Sequence, residues 1–388
     1  MEVDTLYETH IEKRIIGAFQ NDPSLPTIII IGGIHGNEKA GIIALKKIVQ
    51  LIENKNIKIN GNFYALSGNI KALENNVRFN KVDLNRLWTE EIISKITTNN
   101  EEYSEDIDEQ VDIYKTIKNI LKANKGPFYF IDLHTTSAAT EPFITISDSL
   151  NNRKFASNFS IPIILGIEEF LDGPLLTYIN EFGHMALGFE SGQHTDKQSI
   201  TNCEAFVWLS LVISGCVDKK DVVNYQQYKE LLSKKSMKKP FYEIDYRYQI
   251  TDNENFIMKK GFLNFDTITK HKVLAKSDGK EIKAPISGHI FMPLYQQQGD
   301  DGFFIITKIS KLWLWLSVIV RKLKLHHLLR LLPGIQKDKH NDYILIVNPK
   351  TATFMAVEIF HLFGYRKQVV KDNKYHFIKR DRKVTPFK

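Results

Sequence analysis

Thr27-Ile28-Ile29-Ile30-Ile31-Gly32-Gly33, followed by Ile34-His35-Gly36-Asn37-Glu38, is the stretch that decides the fold. Its β-branched run lacks polar alternation, the mark of a strand covered on both faces in a parallel or mixed sheet. From Asn37 to Asn54 the apolar residues Ala40, Ile43, Ala44, Ile48, Leu51 and Ile52 recur at helical spacing, so the glycines turn a strand into a helix. Further along, a polar helical stretch from Asp106 to Ala123 and the breaker pair Gly126-Pro127 precede a second strand, Phe128-Tyr-Phe-Ile-Asp-Leu-His134. A third strand, Met185-Ala-Leu-Gly-Phe-Glu190, follows a helix expected to start at Pro174. Strands alternating with helices predict an α/β sandwich, assigned here to a first unit of residues 1–238.

Past Pro240 the texture changes to short alternating segments (Tyr242 to Ile250, Ile282 to Phe291, Phe303 to Ile309) divided by glycine turns. This predicts a small β domain over 239–310, with 311–388 as a C-terminal helix and α+β appendage. Leu312 to Val320 is an uninterrupted apolar run of nine residues, about half of the ~20 that a spanning helix needs. Two readings stand for 311–332. One is a helix packing the C-terminal region onto the core. The other is a peripheral membrane contact, with Trp313 and Trp315 at the lipid boundary and Arg321, Lys322, Lys324 and Arg330 near head groups.

The 388 residues are 43% hydrophobic and 25% charged, which excludes a largely disordered chain. Cys203 and Cys216 are the only cysteines, too few for a disulfide scaffold or a thiolate zinc cluster. With the polar, acidic start Met1-Glu2-Val3-Asp4, they predict a cytoplasmic protein. Net charge is 52 − 45 = +7, and Tyr365 to Lys388 alone carries nine Lys/Arg against Asp372 and Asp381, again +7. The excess is thus a tail, read as solvated or as a contact for an acidic partner. No base-stacking motif accompanies it, so no nucleic-acid partner is expected.

Three strand ends carry side chains suited to one chemistry. His35 and Glu38 sit three apart where strand meets helix, so both can face one spot above the sheet edge. Each also has a plainer reading, as a solvated imidazole and an acidic first-turn residue favoured by the helix dipole. Asp132 and His134, two apart in extended chain, share a face, and Asp132 could orient the imidazole from behind. Two histidines and one carboxylate with a fourth position open make a catalytic zinc set, one Zn²⁺ per chain. Glu190 ends the third strand, where a carboxylate can serve as general base. Between the ligand segments, Arg78-Phe-Asn-Lys-Val-Asp83-Leu-Asn85-Arg86 reads as an anion-binding loop, with Asp83 holding an arginine in place.

Gly-Gly-x-His-Gly-x-Glu, Asp-Leu-Asn-Arg, Asp-Leu-His-Thr-Thr and the late strand-end Glu together resemble the succinylglutamate desuccinylase/aspartoacylase family of zinc carboxypeptidase-like hydrolases, over about residues 1–310. The resemblance implies a carboxypeptidase-like mixed sheet sandwiched by helices, then a β domain that narrows the site entrance. It implies zinc on His35, Glu38 and His134, Glu190 as catalytic base, and Arg78 on the scissile carbonyl. Asn85 and Arg86 would hold a substrate carboxylate, with Asp83 and Asp132 in support. Asn180 stands ten residues before Glu190, where aspartoacylases proper carry an arginine, and Tyr295 is the candidate for the family's substrate-binding tyrosine. The expected partner is a small carboxylate-bearing N-acyl substrate, deacylated at its amide. A metallocarboxypeptidase on short peptides and a membrane-surface or protein-binding module are the alternatives.

Overall fold

The computed structural model describes residues 13–98, 104–233, 240–348, 354–371 and 374–387. In chain order the first strands are β1 (Ile15–Phe19), β2 (Thr27–Gly32), β3 (Asn62–Ser67), β4 (Phe128–Thr136), β5 (Phe143–Ile146), β6 (Ile163–Leu165) and β7 (Met185–Gln193). There follow β8 (Phe241–Gln249), β9 (Phe256–Met258), β10 (Thr267–Ile268), β11 (Val273–Ser277), β12 (Lys280–Lys283), β13 (Gly288–Phe291) and β14 (Asp301–Lys308). Eleven of these form one mixed sheet in the order β1-β3-β2-β4-β7-β5-β6-β8-β14-β13-β10, and β12-β11-β9 form a small second sheet. The centre, β3-β2-β4-β7, is parallel.

The isoleucine run behaves as its composition dictates. Ile28 and Ile30 enter one core layer while Ile29 and Ile31 enter the layer on the opposite face. All four are buried, each contributing roughly 1.5–3 kcal/mol by leaving water. The helix Ala40–Asn54 covers the first face, together with the helix Gln198–Ile213. The helices Glu105–Ala123 and Leu175–Glu181 cover the second. In β4 the same alternation sends Ile131 and Leu133 to the first layer and Phe128 and Phe130 to the second. Asp132 and His134 therefore continue the second face, at the carboxyl end where the apolar packing stops.

The helix Gln198–Ile213 is buried along most of its length between the sheet and two helices. It has no polar stripe to betray a period. The expected boundary at 238/239 falls outside the described residues. Beyond it, β8 pairs with β6 and β14, so the chain from Phe241 extends the same sheet.

The appendage has its own antiparallel sheet, β15 (Ile335–Lys337), β16 (Ile344–Val347), β17 (Tyr365–Lys371) and β18 (Lys374–Lys379), in the order β15-β16-β18-β17. A buried ionic hub fastens it. Asp148, fully buried after β5, accepts hydrogen bonds from Arg153 (Nε 2.5 Å, Nη2 2.9 Å), Arg321 (Nη2 3.0 Å) and Arg366 (Nη2 2.8 Å). Arg321 also donates to the Asp148, His361 and Leu362 carbonyls, and Arg366 to Glu243 at 2.6 Å.

Two expectations change here. The helix Lys311–Lys322 leaves Leu312 and Trp315 exposed, but Arg321, placed near head groups on the membrane reading, is 6% exposed and locked on Asp148. A guanidinium held by a buried carboxylate and three carbonyls has no donor to spare for lipid phosphate. Nor is the basic tail simply solvated: Arg366 and Arg380 are 1% and 4% exposed.

Candidate active site

The register of two parallel strands builds the site. His134 of β4 lies directly beside Glu190 of β7, and Glu190 has the parity of Ala186, which belongs to the second core layer. On the other side of β4, Gly32 pairs with Leu133 and the chain leaves β2 through Gly33, at φ +72°, into the His35 turn. Gly36 lets that turn lie against backbone: an added Cβ there would sit 2.0 Å from the Ala72 carbonyl carbon. Glu38 is thereby carried in under both imidazoles.

His35, Glu38 and His134 are buried and can each offer one ligand atom, all within 4.8 Å of one another. Glu38 Oε1 is 2.8 Å from His35 Nδ1, and Oε2 is 3.0 Å from His134 Nδ1 and accepts the Thr135 amide at 2.8 Å. Behind the imidazoles, Asp83 Oδ1 is 3.2 Å from His35 Nε2 and Asp132 Oδ2 is 2.7 Å from His134 Nε2. Asp83 and Asp132, expected in supporting positions, each lie beside one imidazole, and Asp83 also holds Arg78. Burial opposes ionisation of Glu38, yet His35 and His134 outweigh it and hold its pKa well below the usual value. Burial likewise disfavours charge on His134, but Asp132 and Glu38 raise it well above an ordinary histidine. The group therefore demands positive charge at its centre, whether as a proton or as a cation. Nitrogen and oxygen donors so backed by carboxylates fit a borderline divalent ion such as Zn²⁺.

Glu190 is buried, and its Oε2 has no hydrogen-bond partner. Burial pushes its pKa up to about 8; Glu38 and Asp132 add to the rise, while His134 and Arg78 oppose it. Arg78 donates to Asp83 Oδ2 from Nη2 (3.0 Å) and Nε (3.3 Å), and its Nη1 reaches 3.6 Å from Glu38 Oε1. Asn85 and Arg86 also line the cleft, but neither side chain is idle. Asn85 Oδ1 accepts the Leu175 amide at 2.9 Å, and Arg86 Nη2 donates to Asp301 at 2.9 Å. Arg247 shares that carboxylate at 2.5 Å, so two guanidinium groups meet one counter-charge.

Tyr295 is not brought into this group. Its hydroxyl bonds the Lys259 and Phe262 carbonyls at 3.0 and 3.1 Å and pins a turn outside the cleft. Its neighbours Leu294 and Gln296 line the cleft instead. Asn180 is turned away as well, accepting from Asn152 at 2.7 Å. Sequence reasoning missed His194 and Gln296: His194 Nδ1 is 2.6 Å from Thr135 Oγ1, and Nε2 is 3.0 Å from Gln296 Oε1. The signal available for His194 was its place four residues past Glu190 on the same chain exit. Gln296 offered none, because only folding brings the 293–302 loop over the cleft.

By fold and site the chain falls in the class of mixed-sheet α/β domains that gather polar side chains at the carboxyl edge of parallel strands, the usual place for an active site. Residues 24–206 match the succinylglutamate desuccinylase/aspartoacylase catalytic domain. A succinylglutamate desuccinylase of Photorhabdus laumondii is 26% identical over 158 residues, 40% of this chain; the chain matches about half of that relative, 47% of its length. Among solved structures, succinylglutamate desuccinylase from Vibrio parahaemolyticus superposes with a TM-score of 0.56 at 16% identity, over 75% of this chain and 84% of that one. The ectoine utilization protein EutE from Ruegeria pomeroyi, a product-bound structure, gives 0.55 at 15% identity, over 75% and 87%. These structural likenesses are likenesses of fold.

Proposed function

We propose that the protein is a zinc-dependent amidohydrolase that removes the acyl group from an N-acyl amino acid bearing a free carboxylate. The observation that carries this reading is the convergence of His35, Glu38 and His134 within 4.8 Å, with the unpartnered Glu190 Oε2 opening on the same cleft. His35, Glu38 and His134 would hold the ion. When bound it would supply Lewis acidity, polarising a carbonyl and acidifying water.

The chain's own residues do the rest. Glu190, with a proton affinity raised by its buried setting, takes a proton from water at Oε2 and returns it to the departing nitrogen. Arg78, held by Asp83, offers its remaining guanidinium edge to the carbonyl oxygen as charge develops there. Asp132 and Asp83 fix the tautomers of the two histidines. Arg86 and Arg247 carry one positive charge more than Asp301 neutralises, which suits a single substrate carboxylate.

The cleft has a volume of about 130 Å³, and Ile146, Leu171, Leu176 and Phe304 line it beyond the polar group. Such a wall favours an uncharged acyl group, and the modest volume favours a small acyl amino acid over an extended peptide. The division into a 1–238 catalytic unit and a 239–310 unit shaping the entrance belongs to the same proposal; Gln298, which accepts the Arg78 amide at 3.0 Å, supports it. The test is metal analysis of the purified protein, then a panel of N-acetyl, longer N-acyl and N-succinyl amino acids beside short peptides. Turnover of N-acyl amino acids by protein holding about one zinc per chain is expected. Metal-free protein, or cleavage of peptides alone, would overturn the reading.

A further inference from the structure

Past Glu190 the catalytic cleft continues between the second face of the sheet and the helix Leu175–Glu181 that covers it. On β7, Gly188 and Ala186 share the face of Glu190, and the register with β5 sets Phe143 opposite Glu190 and Thr145 opposite Gly188. At about 3.4 Å per residue, Thr145 lies roughly 7 Å along the strands from Glu190. Ile144 and Ile146 point into the first core layer, so Thr145 and Ser147 turn to the cleft side. The floor is hollow because its residues are small: a Cβ added at Gly188 would stand 2.5 Å from Thr145 Oγ1. Leu176 and Thr177 close it from the helix.

Thr145, Ser147 and Thr177 are left unused by the catalytic proposal. Their hydroxyls make no hydrogen bond to any described residue, and none is sealed inside the protein, so each opens on the cleft. Other hydroxyls of the same cleft are already bonded: Thr135 to His194, Thr136 to the Ala138 carbonyl and Ser137 to the Pro293 carbonyl. The two arginines that line the cleft, Arg78 and Arg86, do not serve the three, being held by Asp83 and Asp301. Beyond Ser147, Arg153, Arg321 and Arg366 are turned to Asp148. A carboxylate in this hollow would give up water without gaining a counter-charge. An alkyl group would strip water from three hydroxyls and leave them unpaired. A carboxamide, with two N–H donors and an oxygen of two lone pairs, can satisfy all three at once.

We propose that this end of the cleft is a subsite for a carboxamide at the tip of a short arm of the substrate. The proposal rests on the reading of the cleft as an N-acyl amino acid site. Either half of such a substrate can carry the arm, as an acyl group ending in an amide or as an amide-bearing amino-acid side chain; the chemistry recognised is the same. Thr145, Ser147 and Thr177 then set specificity, and Gly188 keeps the space that the arm fills.

The test uses two matched series. The first varies the acyl group on alanine as succinamoyl, succinyl and 4-methylpentanoyl; the second is N-acetylglutamine, N-acetylglutamate and N-acetylhomoleucine. In each, the same two-methylene arm ends in a carboxamide, a carboxylate or an isopropyl group. Deacylation by the parent gives kcat/KM, and calorimetric titration of Glu190→Gln gives affinities that do not depend on turnover. In at least one series the carboxamide should exceed both isosteres about tenfold or more, and the series that shows it names the half carrying the arm. Thr145→Val and Thr177→Val keep the side-chain shape and remove no internal hydrogen bond; each should lower the carboxamide-to-isopropyl ratio about fivefold or more. A preference for carboxylate or isopropyl, or a ratio unchanged in both valine variants, would overturn the subsite. Deacylation without any preference would overturn it while sparing the deacylase reading. Preferential binding of a carboxamide with no turnover of any compound would support the subsite and sink the deacylase reading, and neither binding nor turnover would overturn both.

Discussion

Replacing Asp148 with asparagine removes the one carboxylate on which three buried guanidinium groups converge. Arg153, Arg321 and Arg366 each lie within 3.0 Å of it through at least one nitrogen. Burial resists ionisation of Asp148, yet the three arginines hold its pKa well below the usual carboxylate range. After substitution Arg366 retains Glu243 and Arg321 retains backbone carbonyls. Arg153 loses the carboxylate bonded to its Nε and Nη2, and its Nη1 is already without a partner. Removing one member of a buried ion pair costs about 3–5 kcal/mol because the other charge stays buried and uncompensated. With three partners affected, the upper end of that range applies. That is a large share of the roughly 5–15 kcal/mol that holds a typical domain folded. The assay is urea unfolding of the parent and Asp148→Asn, with hydrogen exchange across residues 311–387 to locate the loss. Asp112→Asn is the control: its side chain is 58% exposed in the pair with Arg14, and such surface pairs contribute up to about 1 kcal/mol. A loss below about 1 kcal/mol in Asp148→Asn, or unchanged exchange in the appendage, would refute the view that this hub fastens the C-terminal region.

Glu190→Gln should abolish deacylation while metal content stays at the parent level; near-normal turnover would remove Glu190 from the mechanism. His134→Ala should instead lower metal content, read by atomic emission after dialysis against a chelator. Gly36→Ala should weaken metal retention about tenfold or more, because the new Cβ meets the Ala72 backbone at 2.0 Å and displaces the turn that aims His35 and Glu38; full retention would contradict this. Docking of the appendage should also depend on pH. Burial opposes ionisation of Glu243, but Arg366 and His361 lower its pKa from 4.5 to about 2, so its contribution is present above pH 4.5 and lost as pH falls towards 2. Burial and Arg366 oppose charge on His361, but Glu169 and Glu243 raise it from 6.5 to about 9, so its contribution is present below pH 6.5 and lost as pH rises through 9. Protection of residues 311–387 from proteolysis should therefore be greatest between pH 4.5 and 6.5, and a flat profile across both flanks would show the hub to be inert.

Much of this protein is local in its sequence. The isoleucines of 27–33 can satisfy no arrangement but a strand covered twice, and Phe128 to His134 alternates so that Asp132 and His134 must share a face. The helix after Asn37 shows its period, although the structure begins it at Ala40. His35, Glu38, His134 and Glu190 could be named because strand-end polar residues following apolar runs are read from a few neighbours. The helix Gln198–Ile213 could not, since a segment buried all round has no periodic contrast to display.

What only the tertiary structure decided is pairing between segments distant in the chain. The register that sets His134 beside Glu190 spans 56 residues and is written in neither strand alone. The closure of the 293–302 loop is equally remote: it brings Gln296 to His194 and sends the Tyr295 hydroxyl elsewhere. The tail makes the same point through charge. Composition counts Arg366 and Arg380 as surplus positive charge, whereas folding buries both, one against Asp148 and Glu243 and the other against Glu168. Side-chain type and period act over a few residues and so survive in the sequence. The partner of a charge is chosen by where distant strands come to rest, and one-dimensional order does not carry that.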